Sequence, residues 1–91
     1  MANAYYFSSG SFSADQYEEA LRRLEAAGAG APRGRSYHCA FHAGDNIHVF
    51  DVWDSEEDFN AFGETLMPIL GELGVDPGEP SIARVHNVIE G

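Results

Sequence analysis

Apolar and polar positions change period several times along the chain, and each change marks an element. Asn3 to Ser8 is short, aromatic-rich and strand-like. From Ser13 the period becomes helical: Tyr17, Leu21, Leu24 and Ala27 share one face. Ser13 and Gln16 have capping-box spacing, and Gly28 stands where a C-terminal cap belongs. Ala29 to Arg35 is a Gly- and Pro-containing loop. "SYHCAFHA" and "NIHVFDVW" then alternate as two strands joined at Gly44-Asp45, a hairpin signal.

Ser55, with Asp58 three residues on, opens a second helix. Its stripe of Phe59, Phe62, Leu66, Ile69, Leu70 and Leu73 stops at Gly74. Pro68 lies inside this stripe without a backbone donor, so a kink or break is expected at Met67-Pro68, leaving "PILGELG" distinct. "VDPGEP" is a turn, and "SIARVHNVIE" reads as a last strand.

The order β-α-β-β-α-β predicts one α+β domain over residues 1–91, ferredoxin-like, with an antiparallel sheet and both helices on one face. There is no repeat, linker or low-complexity tract. A hairpin turning at Gly44-Asp45 opposes His42 to Ile47, Ala40 to Val49, His38 to Asp51 and Ser36 to Trp53. Those eight residues share one face. Tyr37, Cys39, Phe41, His48, Phe50 and Val52 share the other, which is nearly all apolar. The apolar face needs cover, and a second copy of the chain supplies it. A homodimer built as a dimeric α+β barrel is the expectation.

Charge narrows the function. Fifteen acidic residues face five arginines and no lysine, a net charge of −10. This argues against nucleic acid and against anionic membrane surfaces. Without lysine there is neither Schiff-base catalysis nor a Walker-type phosphate loop. The single cysteine forms no intrachain disulfide. The N-terminus lacks the basic and apolar regions of a signal peptide, and no apolar run reaches membrane-span length. A cytoplasmic location is expected. His38, His42, His48 and His86 show no metal-binding spacing, so no metal is expected.

The chemistry concentrates on the polar face of the hairpin. Directly opposed residues have β-carbons about 4.5–5.5 Å apart, within reach of an imidazole–carboxylate hydrogen bond. His38 and Asp51 are therefore the candidate acid–base pair, the carboxylate fixing the tautomer of the imidazole. Ser36 and Trp53 stand one step further along, as an aromatic wall beside a polar pair.

"VFDVWDSEEDFNAFGETLMPIL" followed by "VHNVI" resembles the antibiotic biosynthesis monooxygenase-like group of the dimeric α+β barrel superfamily, over nearly the whole chain. That group includes cofactor-independent monooxygenases of polyketide phenols, haem-degrading oxygenases and small isomerases. Trp53 matches the tryptophan that lines the pocket in the polyketide and haem branches. The polyketide branch's asparagine is Val49 here, and its tyrosine is Phe59, so His38, Asp51 or Tyr6 would have to replace the missing polar groups. The haem branch's iron-binding histidine has no counterpart in the second helix.

The resemblance implies a cofactor-free pocket between sheet and helices. Trp53, Phe59, Phe62 and Leu66 would line it, with Ser36 and Tyr6 contributing, for a small aromatic or polyketide-like ligand of secondary metabolism. The reaction would be oxygenation or isomerisation of a ring-containing metabolite. Two other readings stay open: a non-catalytic ligand-binding or accessory dimer, and a structural homodimer whose pocket has filled.

Overall fold

The computed structural model of the chain describes residues 2–8 and 10–91. Its elements follow the order β1 (Asn3–Phe7), α1 (Ala14–Ala26), β2 (Arg35–Ala43), β3 (Asn46–Trp53), α2 (Glu56–Glu72) and β4 (Ser81–Arg84). The four strands form one antiparallel sheet in the order β2-β3-β1-β4. β3 lies between β1 and β2, and β1 lies between β3 and β4, which is the ferredoxin-like α+β arrangement.

Local chemistry sets the helix ends. The Ser13 side chain accepts from the Gln16 amide, and the Gln16 side chain accepts from the Ser13 amide, a reciprocal capping box. Ser55 caps α2 by accepting from the Asp58 amide. Both helices end in a Schellman motif built on glycine at positive φ. Gly28 has φ 76° and Gly74 has φ 73°, with Ala29 donating to the Leu24 carbonyl and Val75 to that of Leu70. Gly44, at φ 65°, opens the two-residue hairpin turn in which Ala43 pairs with Asn46.

One helix-side cluster joins Tyr5, Leu24, Trp53 and Phe62; another joins Ala20, Leu70 and Val75. Tyr5 stacks on Phe59 at 4.0 Å between ring centroids, and Trp53 leans on Phe62 at 5.2 Å. No helix among the described residues is long and apolar enough to cross a membrane.

Two expectations are corrected. The second helix does not break at Met67-Pro68: α2 is one element through Pro68 to Glu72. Proline removes a single amide donor, whereas the turn beyond it anchors Ile69 and Leu70 in the core. That anchorage outweighs the local penalty of about 3 kcal/mol. The last strand is shorter than "SIARVHNVIE". β4 pairs only with β1, whose register ends at Asn3–Arg84; one further bond, from Val85 N–H to the Ala2 carbonyl, closes the ladder.

Candidate functional site

The hairpin register is the anticipated one over most of its length. His42 pairs with Ile47, Ala40 with Val49 and His38 with Asp51. The last pair closes into a direct contact: His38 Nδ1 lies 2.5 Å from Asp51 Oδ1. Asp51 is 5% exposed, so its charge needs partners, and a second comes from the Trp53 indole N–H, 3.4 Å from Oδ2. A carboxylate only accepts, so the proton between the pair sits on His38 Nδ1. In the neutral ring Nε2 is then the acceptor, and it takes the Tyr17 O–H at 2.7 Å. The Tyr17 and His38 rings lie nearly parallel, 4° apart. Tyr17, His38, Asp51 and Trp53 thus form one hydrogen-bonded chain running from α1 into the sheet.

Burial pushes the Tyr17 hydroxyl above its ordinary range by disfavouring the phenolate. Arg35 opposes this, and Asp51 adds to it. At neutral pH Tyr17 therefore keeps its proton, which it donates to the neutral form of His38.

This chain borders a cavity of about 450 Å³ between the sheet and the two helices, within the usual range for a small-molecule site. Its walls are mostly apolar, including Phe7, Phe12, Leu21, Phe59, Phe62 and Leu66. Tyr17, Arg35, His38 and Asp51 supply the polar sector, and Asn60 and Glu64 of α2 stand exposed at its edge.

Of the residues picked out in the sequence, His38, Asp51, Phe59, Phe62 and Leu66 meet around this cavity. Three others do not. Trp53 is fully buried at 0% exposure and lies behind Asp51 as a hydrogen-bond donor and core anchor, off the cavity wall. Ser36 does not oppose Trp53. A bulge between Arg35 and Tyr37 puts Arg35 across from Trp53, while the Ser36 hydroxyl donates to the Val52 carbonyl at 3.3 Å. Tyr6 belongs to the other sheet face, where it pairs with Phe50 in the ladder, lies 6.2 Å from the Phe41 ring and bonds His48 Nδ1 at 3.1 Å. Alternation along β1 sends Tyr5 and Phe7 toward the helices and Tyr6 away from them.

Two site residues escaped the sequence reading. Tyr17 sits in the apolar stripe of α1, and its hydroxyl among carbon-only side chains was the available signal. Arg35 had none, because nothing in "PRGRSYH" announces a bulge. No group of three or more His, Cys, Asp or Glu side chains is arranged to hold a metal ion among the described residues.

No protein-family model matches the chain, and no curated protein matches it by sequence. Solved structures do. SnoaB, a cofactor-independent oxygenase from Streptomyces nogalater, superposes with a TM-score of 0.60 at 16% identity, over 99% of this chain and 95% of that one. MupZ from Pseudomonas fluorescens gives 0.53 at 14% identity, over 91% of this chain and 65% of that one. At such identities what is shared is the fold, and it is the fold that the resemblance to the antibiotic biosynthesis monooxygenase-like group implied.

Proposed function

We propose that the protein is a small homodimeric enzyme that removes a proton from an electron-rich ring-containing metabolite, in a cofactor-independent oxygenation or isomerisation. The observation that carries this reading is the His38–Asp51 pair, bonded at 2.5 Å, on the wall of a largely apolar cavity. General bases of this kind contribute about 10²–10⁴-fold to rate. Because the Tyr17 hydroxyl occupies His38 Nε2, the proton path runs through it. The substrate proton passes to the Tyr17 oxygen as the Tyr17 proton moves to Nε2, and Asp51 stabilises the imidazolium. The apolar walls keep water from the ring anion. In the oxygenase form, a ring methylene and one dioxygen molecule give a ring ketone and one water. SnoaB, named as a cofactor-independent oxygenase, lends this form its support by fold.

The dimer is proposed from the other sheet face. Tyr37 is 51% and Phe41 39% exposed there, beside Tyr6 and Phe50. The tail beyond β4 adds Val88 and Ile89 at 56% and 81%. A second copy seated on this face removes the apolar patch from water. Sedimentation at micromolar concentration should give the dimer mass, and a monomer refutes that part.

The activity is tested with a hydroxyanthrone, whose ring methylene carries an acidic C–H, under ¹⁸O-labelled dioxygen. The native protein should form the labelled ketone faster than spontaneous oxidation. His38→Ala should lose about 10²-fold or more of that excess rate while still binding the compound. Binding without any excess rate in the native protein favours the accessory, ligand-holding reading.

A further inference from the structure

The bulge in β2 delivers a cation to the cavity. Strict alternation from His38 would have placed Ser36 on the helix side and Arg35 on the outer face. The extra residue instead sets Arg35 opposite Trp53 and Tyr37 opposite Val52. Bulges re-aim side chains in this way beside functional sites. The result is a half-buried arginine that lines the cavity, with the central carbon of its guanidinium 5.7 Å from the centroid of the Phe62 ring.

The molecule treats this arginine unlike the other four. Arg22 and Arg23 are tied to Glu19, and Arg23 also to Glu72, at the surface. Arg33 and Arg84 are exposed. Arg35 forms no ion pair among the described residues. Arg33 and Arg84 share that lack, but they face water, whereas Arg35 is half-buried. The carboxylates around it are otherwise placed: Asp51 is held by His38 and Trp53, Asp58 beside Gly34 accepts from the Ser55 hydroxyl, and Glu64 stands exposed at the edge of the cavity. A partly desolvated cation facing an apolar space gains from an anion brought in by a ligand.

We infer that Arg35 is an oxyanion subsite, and that the ligand of this cavity is a ring compound carrying a carboxylate or an ionised hydroxyl. The inference rests on reading the cavity as a ligand site, and it adds the charge of the ligand. The overall charge of −10 repels anions at long range, so the preference comes from local contact. Arg35 and Tyr17 line the same cavity, so an oxyanion bound at Arg35 lies beside the proton-transfer chain. An arginine in that position would stabilise the enolate or phenolate formed when the proton leaves.

The test compares 2-naphthoate with its neutral isostere 2-naphthamide by isothermal titration calorimetry at low salt. The native protein should bind the carboxylate about tenfold or more tighter than the amide, as expected for one partly buried charge-assisted contact. Arg35→Met should bring the two affinities to within about threefold of each other, with amide binding unchanged as the control for a folded cavity. Arg35→Lys should retain part of the preference, having the charge without the planar fork. Equal affinities in the native protein, or a preference that survives Arg35→Met, overturns the subsite while leaving the cavity reading intact. Failure of both compounds to bind at millimolar concentration overturns both.

Discussion

Replacing Asp51 by asparagine changes one atom of a residue that is 5% exposed, yet two donors depend on it. The carboxylate accepts from His38 Nδ1 at 2.5 Å and from Trp53 Nε1 at 3.4 Å. An amide offers one accepting end and one donating end. If its oxygen serves His38, its NH₂ meets the buried indole N–H, and two donors face each other. If its oxygen serves Trp53, its NH₂ faces His38 Nδ1. The imidazole must then move its proton to Nε2, and the Tyr17 hydroxyl must turn from donor to acceptor. Either outcome forfeits a charge-assisted bond, worth about 1.5–3 kcal/mol, and the first also strands a buried donor at about 1–3 kcal/mol. The long Trp53 bond belongs at the low end of its range, so the expected loss for Asp51→Asn is about 3 kcal/mol. For a domain of this size that is roughly 12–24 °C in Tm, or a large share of a typical total stability.

Urea denaturation at pH 7, followed by circular dichroism, measures the loss directly. A double-mutant cycle with Trp53→Phe separates the indole bond from the imidazole bond, because the two side chains share the same carboxylate. ¹⁵N chemical shifts of the His38 ring report the tautomer: Nδ1–H in the native protein, Nε2–H where the amide has turned. A loss under about 0.5 kcal/mol together with an unchanged tautomer would refute the account of Asp51 as the shared acceptor of this chain.

Two other variants follow from particular contacts. Burial raises the Tyr17 pKa above 10.0, so the folded state holds a proton that the unfolded chain releases. The stability at stake is fully present below pH 10 and falls as pH rises through the window above it. Tyr17→Phe should flatten that alkaline limb in pH-dependent denaturation, and a limb of unchanged slope in the variant sinks the assignment. Pro68→Ala restores a donor toward the Glu64 carbonyl within a continuous helix, and should stabilise by about 1–3 kcal/mol in urea denaturation; a loss of stability would mean that the proline is required by the packing around it.

Much of this fold could be read because its signals are local. Ser13 with Gln16, Ser55 with Asp58, and Gly28, Gly44 and Gly74 each carry their geometry in their own chemistry, and all appear as read. The His38–Asp51 contact was legible for the same reason: a two-residue turn at Gly44-Asp45 fixes every pair up the ladder until something interrupts it. The interruption is where reading failed. A bulge adds one residue without a compositional mark, and beyond it the faces exchange, so Arg35 took the place assigned to Ser36. Pro68 failed in the opposite sense. Its local signal was real, but packing of Ile69 and Leu70 directly after it decided the helix, and such packing is visible only once the partners are in place.

Trp53 lies behind the site and acts on it through one hydrogen bond. Its type and place at a strand end suit a ligand platform, yet its ring is fully enclosed by Tyr5, Phe59 and Phe62. What reaches the site is its N–H, through Asp51. The indole therefore acts on the cavity as a positioning residue, holding one carboxylate oxygen so that the other stays aimed at His38. The bulge complements this, because Arg35 occupies the cavity-side place across from Trp53 and supplies the polar contact that the buried ring cannot. A carboxylate anchored from behind, an imidazole between it and a phenol, and a guanidinium alongside, without an ion pair among the described residues, form one asymmetric polar sector in an apolar shell. Such a sector discriminates between ligands by where their acidic hydrogen and their negative charge lie relative to each other, more than by their size.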